Sequence, residues 1–80
     1  MKTKYEYISF EQVSDTGKTT IWQCRNNNLG NHLGIIKWYG PWRQYCYFPT
    51  NQGIYSRGCM DDINGFMNQL MEARKVKAKQ

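Results

Sequence analysis

Features that would identify a common class of protein are scarce in this chain of 80 residues. It has one histidine, His32, and its three cysteines, Cys24, Cys46 and Cys59, have no C-x-x-C spacing. An odd number of cysteines without that spacing indicates neither a disulfide framework nor a zinc site. No apolar run reaches membrane-spanning length, and the first residues lack the apolar stretch of a signal peptide. We therefore expect a cytoplasmic protein with reduced thiols, no membrane partner, and no metal or other cofactor.

Catalytic residue patterns are missing as well. His32 has no cysteine, serine or carboxylate at a diagnostic spacing, so a surface histidine is the simpler interpretation. Asp61 and Asp62 have no histidine or further carboxylate nearby with which to form a metal or acid–base site. Gly17-Lys18-Thr19 matches the end of a phosphate-binding loop, but the upstream glycine of G-x-x-x-x-G-K-[ST] is absent. We therefore predict no catalytic residues and a protein that is not an enzyme.

Carboxylates are absent between Asp15 and Asp61, although the formal net charge of the chain is +5. A surface with cations and few acids has a positive potential that attracts anions. An anionic partner is therefore expected, while the alternative is charge that serves only the solubility of a small domain. The cations within this stretch are Lys18, Arg25, Lys37, Arg43 and Arg57.

Apolar and polar residues alternate with a period of two over most of the chain, which predicts an antiparallel sheet. Gly40 and Pro41 divide the most aromatic stretch into the two arms of a hairpin, because they break its periodicity. Strands are predicted at residues 4–13, 18–26, 33–39 and 43–48, with a shorter fifth strand at 53–57.

The last segment has a helical period instead. Gly65 within it costs about 1 kcal/mol relative to alanine, which predicts close packing on the sheet at that point. Asp61 or Asp62 in the first turn and basic residues near the end complement the helix dipole. The apolar stripe at i, i+3, i+4 and i+7 consists of Ile63, Phe66, Met67 and Leu70.

The predicted fold is therefore α+β: an antiparallel sheet of four or five strands with one C-terminal α-helix packed on one face. Residues 1–74 form the single domain, and residues 75–80 form a basic tail that frays. Alternation predicts that the helix covers Ile8, Phe10, Trp22, Cys24, Ile36, Trp38, Cys46, Phe48 and Ile54. It leaves an open face with Tyr5, Tyr7, Arg25, Ile35, Lys37, Tyr39, Arg43, Tyr45 and Tyr47.

A ligand site is predicted where cations and aromatic rings share this open face and its hairpin. A phosphate between Arg43 and Lys37 would gain about 1.5–3 kcal/mol per charge-assisted hydrogen bond. A base on Trp42 or Tyr45 would add about 1–3 kcal/mol of stacking. Arg43 could instead pair with a backbone carbonyl or with a first-strand glutamate, Glu6 or Glu11. The predicted ligand-binding residues are Arg25, Lys37, Tyr39, Trp42, Arg43, Tyr45 and Tyr47.

The run from Leu33 to Pro49, with Lys18-Thr-x-x-Trp22 before it and Cys59-x-x-Asp-Ile63 after it, resembles a family of small bacterial and phage proteins. The resemblance covers about residues 18–70. It implies a small cytosolic protein of phage or bacterial origin. Small phage proteins often sequester a host nucleotide signal, inhibit a host protein or coat nucleic acid, which is an analogy of class alone.

These observations predict a binding protein for an anionic, base-containing ligand. The first hypothesis is a nucleotide-type signal, sequestered by a phage protein as counter-defence in the host cytoplasm. Single-stranded nucleic acid is the alternative with the same chemistry, and an inhibitor that binds a host protein is the alternative from another class. A face this rich in tyrosine is also expected to be covered in a homodimer.

Overall fold

The computed structural model describes residues 1–50 and 54–78 and confirms the predicted α+β fold. Four strands form one antiparallel sheet in the order β1-β2-β3-β4, and a single helix packs on one of its faces. The strands are β1 Ile8–Asp15, β2 Thr20–Asn26, β3 His32–Tyr39 and β4 Gln44–Pro49, and the helix is α1 Arg57–Ala78. A short 3-10 turn at Gly40–Trp42 joins β3 to β4.

The core lies between α1 and the sheet and is built around Phe66, which is fully buried. Its ring stacks on Phe10 with the centroids 4.2 Å apart, and Trp22 meets it edge-on at 4.9 Å. Burial of rings of this size is a large part of what a small domain gains on folding. The other buried hydrophobic residues in the described part of the chain are Ile8, Cys24, Leu33, Ile36, Tyr45, Cys59, Ile63 and Leu70.

The segment before β1 was predicted to extend the first strand, but it contacts the helix side instead. The ring of Tyr5 lies edge-on to Phe10 at 5.6 Å and to Phe66 at 6.4 Å. The backbone N–H of Tyr7 donates to Oδ2 of Asp62 at 2.9 Å. The prediction that Tyr5 and Tyr7 lie on the open face is therefore wrong, because the chain enters its regular strand only at Ile8.

A turn with an even number of residues determines which way β4 faces. Tyr39 pairs with Gln44, so four residues, 40–43, form the turn. Residues opposite each other in an antiparallel pair share a face. An even turn therefore places odd-numbered residues of one strand beside even-numbered residues of the other. The sequence prediction counted the alternation straight through the turn and so put even-numbered residues of both strands on one face. That assignment is correct only when the turn has an odd number of residues.

The faces predicted for β4 are consequently wrong. Tyr45 lies opposite Trp38 and faces α1, as does Tyr47. Cys46 lies opposite Lys37, and Phe48 lies opposite Ile35, so both belong to the open face. The assignments for β1, β2 and β3 are confirmed, because Phe10, Trp22 and Ile36 are all buried.

The helix begins earlier than predicted. The hydroxyl of Ser56 accepts from the N–H of Cys59 at 3.1 Å and caps the first turn. Asp61 and Asp62 therefore lie in the second turn, and the first turn contains no acidic residue. A methyl group added at Gly65 would meet Tyr5 Cε2 at 3.4 Å, an ordinary contact, so the close packing predicted there is only moderate.

The predicted fifth strand and tail are the last points of difference. Residues 54–56 form no strand, and Ile54, predicted to be covered, is 93% exposed; residue 53 lies outside the described residues. The helix runs to Ala78, so fraying of the tail stays a prediction. No helix in the described ranges is both long enough and apolar enough to cross a membrane.

Candidate functional site

The sheet face opposite α1 is the open face of the protein, and the strand register defines its rows. One row crosses all four strands, with Glu11 opposite Gln23, Gln23 opposite Ile35, and Ile35 opposite Phe48. A second row contains Lys37 and Cys46. Apolar, aromatic and cationic side chains thus lie side by side on a sheet surface.

Three aromatic rings form a continuous strip across this face toward the hairpin. Tyr39 lies between the other two, edge-on to Trp42 at 5.1 Å and to Phe48 at 6.1 Å. The Nζ of Lys37 sits 4.8 Å from the centroid of the Phe48 ring, within cation–π distance. Trp42 is 66% exposed, so much of its side chain meets solvent. We call Trp42, Tyr39 and Phe48 the aromatic strip.

The turn sequence explains why Trp42 lies where it does. Pro41 occupies the start of the 3-10 turn, where its fixed φ is compatible and no N–H is needed. Arg43 then adopts a left-handed conformation with φ of 52°, and its N–H donates to the carbonyl of Gly40 at 3.1 Å. This closes the hairpin with Trp42 exposed beside Tyr39.

Arg43 lies at the tip of this hairpin and is exposed. The row containing Glu11 crosses β3 at Ile35, four residues before Tyr39 and about 13 Å along the strand. β1 is also two strand spacings from β3, or about 10 Å. The alternative ion pair between Arg43 and Glu11 is therefore out of reach.

Arg25 lies on the open face but far from the hairpin. Its Nη1 donates to the carbonyl of Gly30 at 3.1 Å. With the amide of Gln23 oriented to satisfy both groups, its oxygen accepts from Nη2 and Nε at 2.6 and 2.7 Å. Arg25 pairs with His32 at the start of β3, about 20 Å from Tyr39 at its end. The structure therefore does not bring Arg25 together with Trp42 and Arg43.

Tyr45 and Tyr47 belong to the helix side and have structural roles. The hydroxyl of Tyr45, a residue that is only 8% exposed, accepts from the N–H of Thr20 at 3.1 Å. The Tyr47 hydroxyl lies 2.6 Å from that of Tyr55. Burial, together with this hydrogen bond, raises the pKa of Tyr47. Phe48 lies on the open face instead. The sequence prediction missed it, because its position there follows only from the number of residues in the turn.

Two cavities lie on the helix side of the sheet. One, of about 140 Å³, lies between the β1–β2 turn and the last part of α1, and its lining includes Lys18 and Arg74. The other, of about 320 Å³, lies between β4 and α1 and is largely apolar, with Tyr47, Tyr55 and Met67 in its lining. Within the described part of the chain, no three His, Cys, Asp or Glu side chains come together as metal ligands would.

A phage protein is similar to this chain over nearly its whole length. It is described as an uncharacterized 9.3 kDa protein of Acholeplasma phage L2. The two are 37% identical over 71 residues, which cover 88% of this chain and 91% of the phage protein. The chain belongs to the same family of small proteins. The predicted relationship to small phage or bacterial proteins is thus confirmed at this level. No protein-family model and no solved structure matches the chain.

Proposed function

We propose that this protein is a non-enzymatic binding protein that holds single-stranded nucleic acid on the open face of its sheet. The observation that supports this most directly is the aromatic strip with Lys37 beside it and Arg43 at its end. Stacking on an aromatic ring contributes about 1–3 kcal/mol per base and accepts any base, since every base has a π face. The cations supply contacts to the phosphates.

Sequestration of a single nucleotide signal, the first hypothesis from the sequence, is the alternative within the same chemistry. Sites for small ligands are concave and bury most of the ligand. Both cavities described above lie on the helix side, whereas the aromatic strip lies on the open face. A strand needs an aromatic platform with cations beside it, and the aromatic strip with Lys37 and Arg43 provides both, so we favour the strand.

The test of this proposal is the affinity for a labelled oligothymidylate of about 12 nucleotides, measured by fluorescence anisotropy at several salt concentrations. Trp42→Ala is expected to weaken binding by about 5- to 150-fold, the equivalent of one lost stacking contact. Met60→Ala removes an exposed apolar side chain elsewhere and is the matched control. A Trp42→Ala variant that binds as tightly as the wild type contradicts the proposal.

Charge is tested in the same assay. Lys37→Gln is expected to reduce the slope of log K against log salt by about 1, because one phosphate contact is lost. Arg57→Gln removes the same charge from the exposed start of α1 and should leave the slope unchanged. A nucleotide pocket would instead show weak salt dependence and saturation by a mononucleotide. A protein-binding inhibitor would show no oligonucleotide affinity at all.

Cys46 provides a direct measure of where the strand lies. It is partly exposed on the open face opposite Lys37, whereas Cys24 and Cys59 are buried. Burial also raises the pKa of Cys24 to about 12, so it stays a thiol and does not react in the folded protein. Bound oligonucleotide is expected to slow the reaction of Cys46 with maleimide. Unchanged labelling of Cys46 at saturating oligonucleotide would place the strand elsewhere.

A further inference from the structure

The smaller cavity on the helix side has a lining suited to an oxyanion. It lies where the β1–β2 turn meets the last part of α1, and it has a volume of about 140 Å³. Pockets for whole small molecules are larger, about 300–1,000 Å³, so this one has the size for a single group. The polar side chains of its lining are Asp15, Lys18, Thr19, Thr20, Tyr45 and Arg74.

Arg74 is held in place before any ligand arrives. Its guanidinium carbon lies 4.0 Å from the centroid of the Trp38 ring, and Nη1 donates to the carbonyl of Lys18 at 3.2 Å. A guanidinium has five N–H donors, so several remain after this one bond. An arginine that is already stacked and hydrogen-bonded loses less conformational freedom when it binds an anion.

The hydroxyl groups in the pocket can donate as well. Tyr45 accepts from the N–H of Thr20, and the Thr20 hydroxyl accepts from Nε1 of Trp22 at 2.8 Å. The two hydroxyl oxygens are 3.4 Å apart, so at most one of their protons is used between them. At least one O–H therefore remains for a ligand, beside the cations of Lys18 and Arg74.

One feature of the lining opposes an anion. The carboxylate of Asp15 is part of it, with Oδ1 accepting from the N–H of Gly17 at 2.8 Å. Two cations and one carboxylate leave a single positive charge. Such a weakly positive pocket suits one phosphate group of a larger ligand, because the rest of that ligand can add binding energy through contacts outside the pocket. The donors are side chains, unlike the backbone cradle of a phosphate-binding loop.

We propose that this pocket binds a phosphate group, either as inorganic phosphate or as the terminal phosphate of a nucleic-acid strand. The β1–β2 and β3–β4 turns lie at the same end of the sheet, because neighbouring strands are antiparallel in the order β1 to β4. Arg74 touches Lys18 and Trp38, so the last part of α1 reaches this end too. A strand stacked on Trp42 would have to pass over this end of the sheet, from the open face to the helix side, for its terminal phosphate to enter the pocket. This second source of phosphate, but not the pocket itself, rests on the proposed function.

The experiment compares unphosphorylated, 5′-phosphorylated and 3′-phosphorylated forms of one oligonucleotide, and inorganic phosphate against chloride at equal ionic strength. For the wild type, we expect about tenfold tighter binding of one phosphorylated form, or a rise in Tm with inorganic phosphate. Arg74→Gln and Lys18→Gln should each abolish this extra affinity for the phosphorylated form and the rise in Tm with phosphate. Their affinity for the unphosphorylated strand should stay within about twofold of the wild-type value. Lys75→Gln, an exposed neighbour with the same change of charge, is the control.

The two sources give different results. A gain with a terminal phosphate but none with inorganic phosphate assigns the pocket to the strand end, and the reverse assigns it to free phosphate. Binding of inorganic phosphate without any affinity for oligonucleotides would support the pocket and reject the proposed function. The pocket is rejected if no form of phosphate has an effect, or if the effect persists in Lys18→Gln, an exposed turn residue whose replacement should not disturb folding.

Discussion

The left-handed backbone of Arg43 and its proposed contact with a phosphate can be tested separately by choosing the replacement. Arg43→Ala is expected to weaken oligonucleotide binding at least tenfold, because a charge-assisted phosphate contact contributes about 1.5–3 kcal/mol. The Tm should not change, since alanine and arginine share the cost of the left-handed conformation at φ of 52°. Arg43→Gly removes that cost and should raise the unfolding free energy by about 0.5–1 kcal/mol while also losing affinity. Affinity and Tm are measured on the same samples, and loss of stability without loss of affinity would remove Arg43 from the site.

At the same scale, the sequence predicted the positions of some of these side chains and missed others. Tyr39 could be placed on the open face because it belongs to β3, where alternation is not interrupted, whereas Trp42 could be placed only at the turn. Arg74 was missed as a pocket residue, because its contacts with Trp38 and Lys18 join segments far apart in the chain. Local periodicity contains no information about such contacts.

Among the elements, α1 holds the fold together by one apolar stripe. Leu70 is 4% exposed, and Leu70→Ala is expected to lower the unfolding free energy by about 2–5 kcal/mol through lost burial and a residual cavity. Asn68→Ala changes an exposed position of the same helix and should alter stability by less than about 0.5 kcal/mol. Urea denaturation of both variants makes the comparison. Equal midpoints would show that α1 does not pack as described.

The helix and the four strands could be predicted from the sequence, since period-two and helical patterns are strong over most of the chain, but the fifth strand predicted at 53–57 is not formed at residues 54–56. Their ends and one of their faces could not. The helix extends back to Arg57 because Ser56 caps it, and a serine cap is a weak signal among several polar residues. The two faces of β4 were predicted the wrong way round, because the alternation pattern alone does not specify how many residues a turn contains.

For the whole molecule, the aromatic strip on the open face predicts self-association. Ile35, Tyr39, Trp42 and Phe48 give this face apolar area that a symmetric dimer would cover. Light scattering at high micromolar concentration is expected to give twice the mass of one chain, and Trp42→Ala should shift the equilibrium toward the monomer. Because strand and dimer would use the same surface, oligonucleotide should also dissociate the dimer. A strict monomer at that concentration contradicts this prediction.

The four-residue turn between β3 and β4 has a consequence for how relatives of this protein should be aligned. A homologue can absorb a deletion or insertion of one residue there in two ways. If Tyr39 stays opposite Gln44, the turn has three or five residues and every side chain of β4 keeps its face. If the four-residue turn is kept instead, the pairing slips by one residue, so that Tyr45 and Tyr47 meet solvent and Cys46 and Phe48 turn inward. A gap in this turn therefore has to be placed together with the pairing of β3 and β4 before the recognition surface of a homologue is inferred.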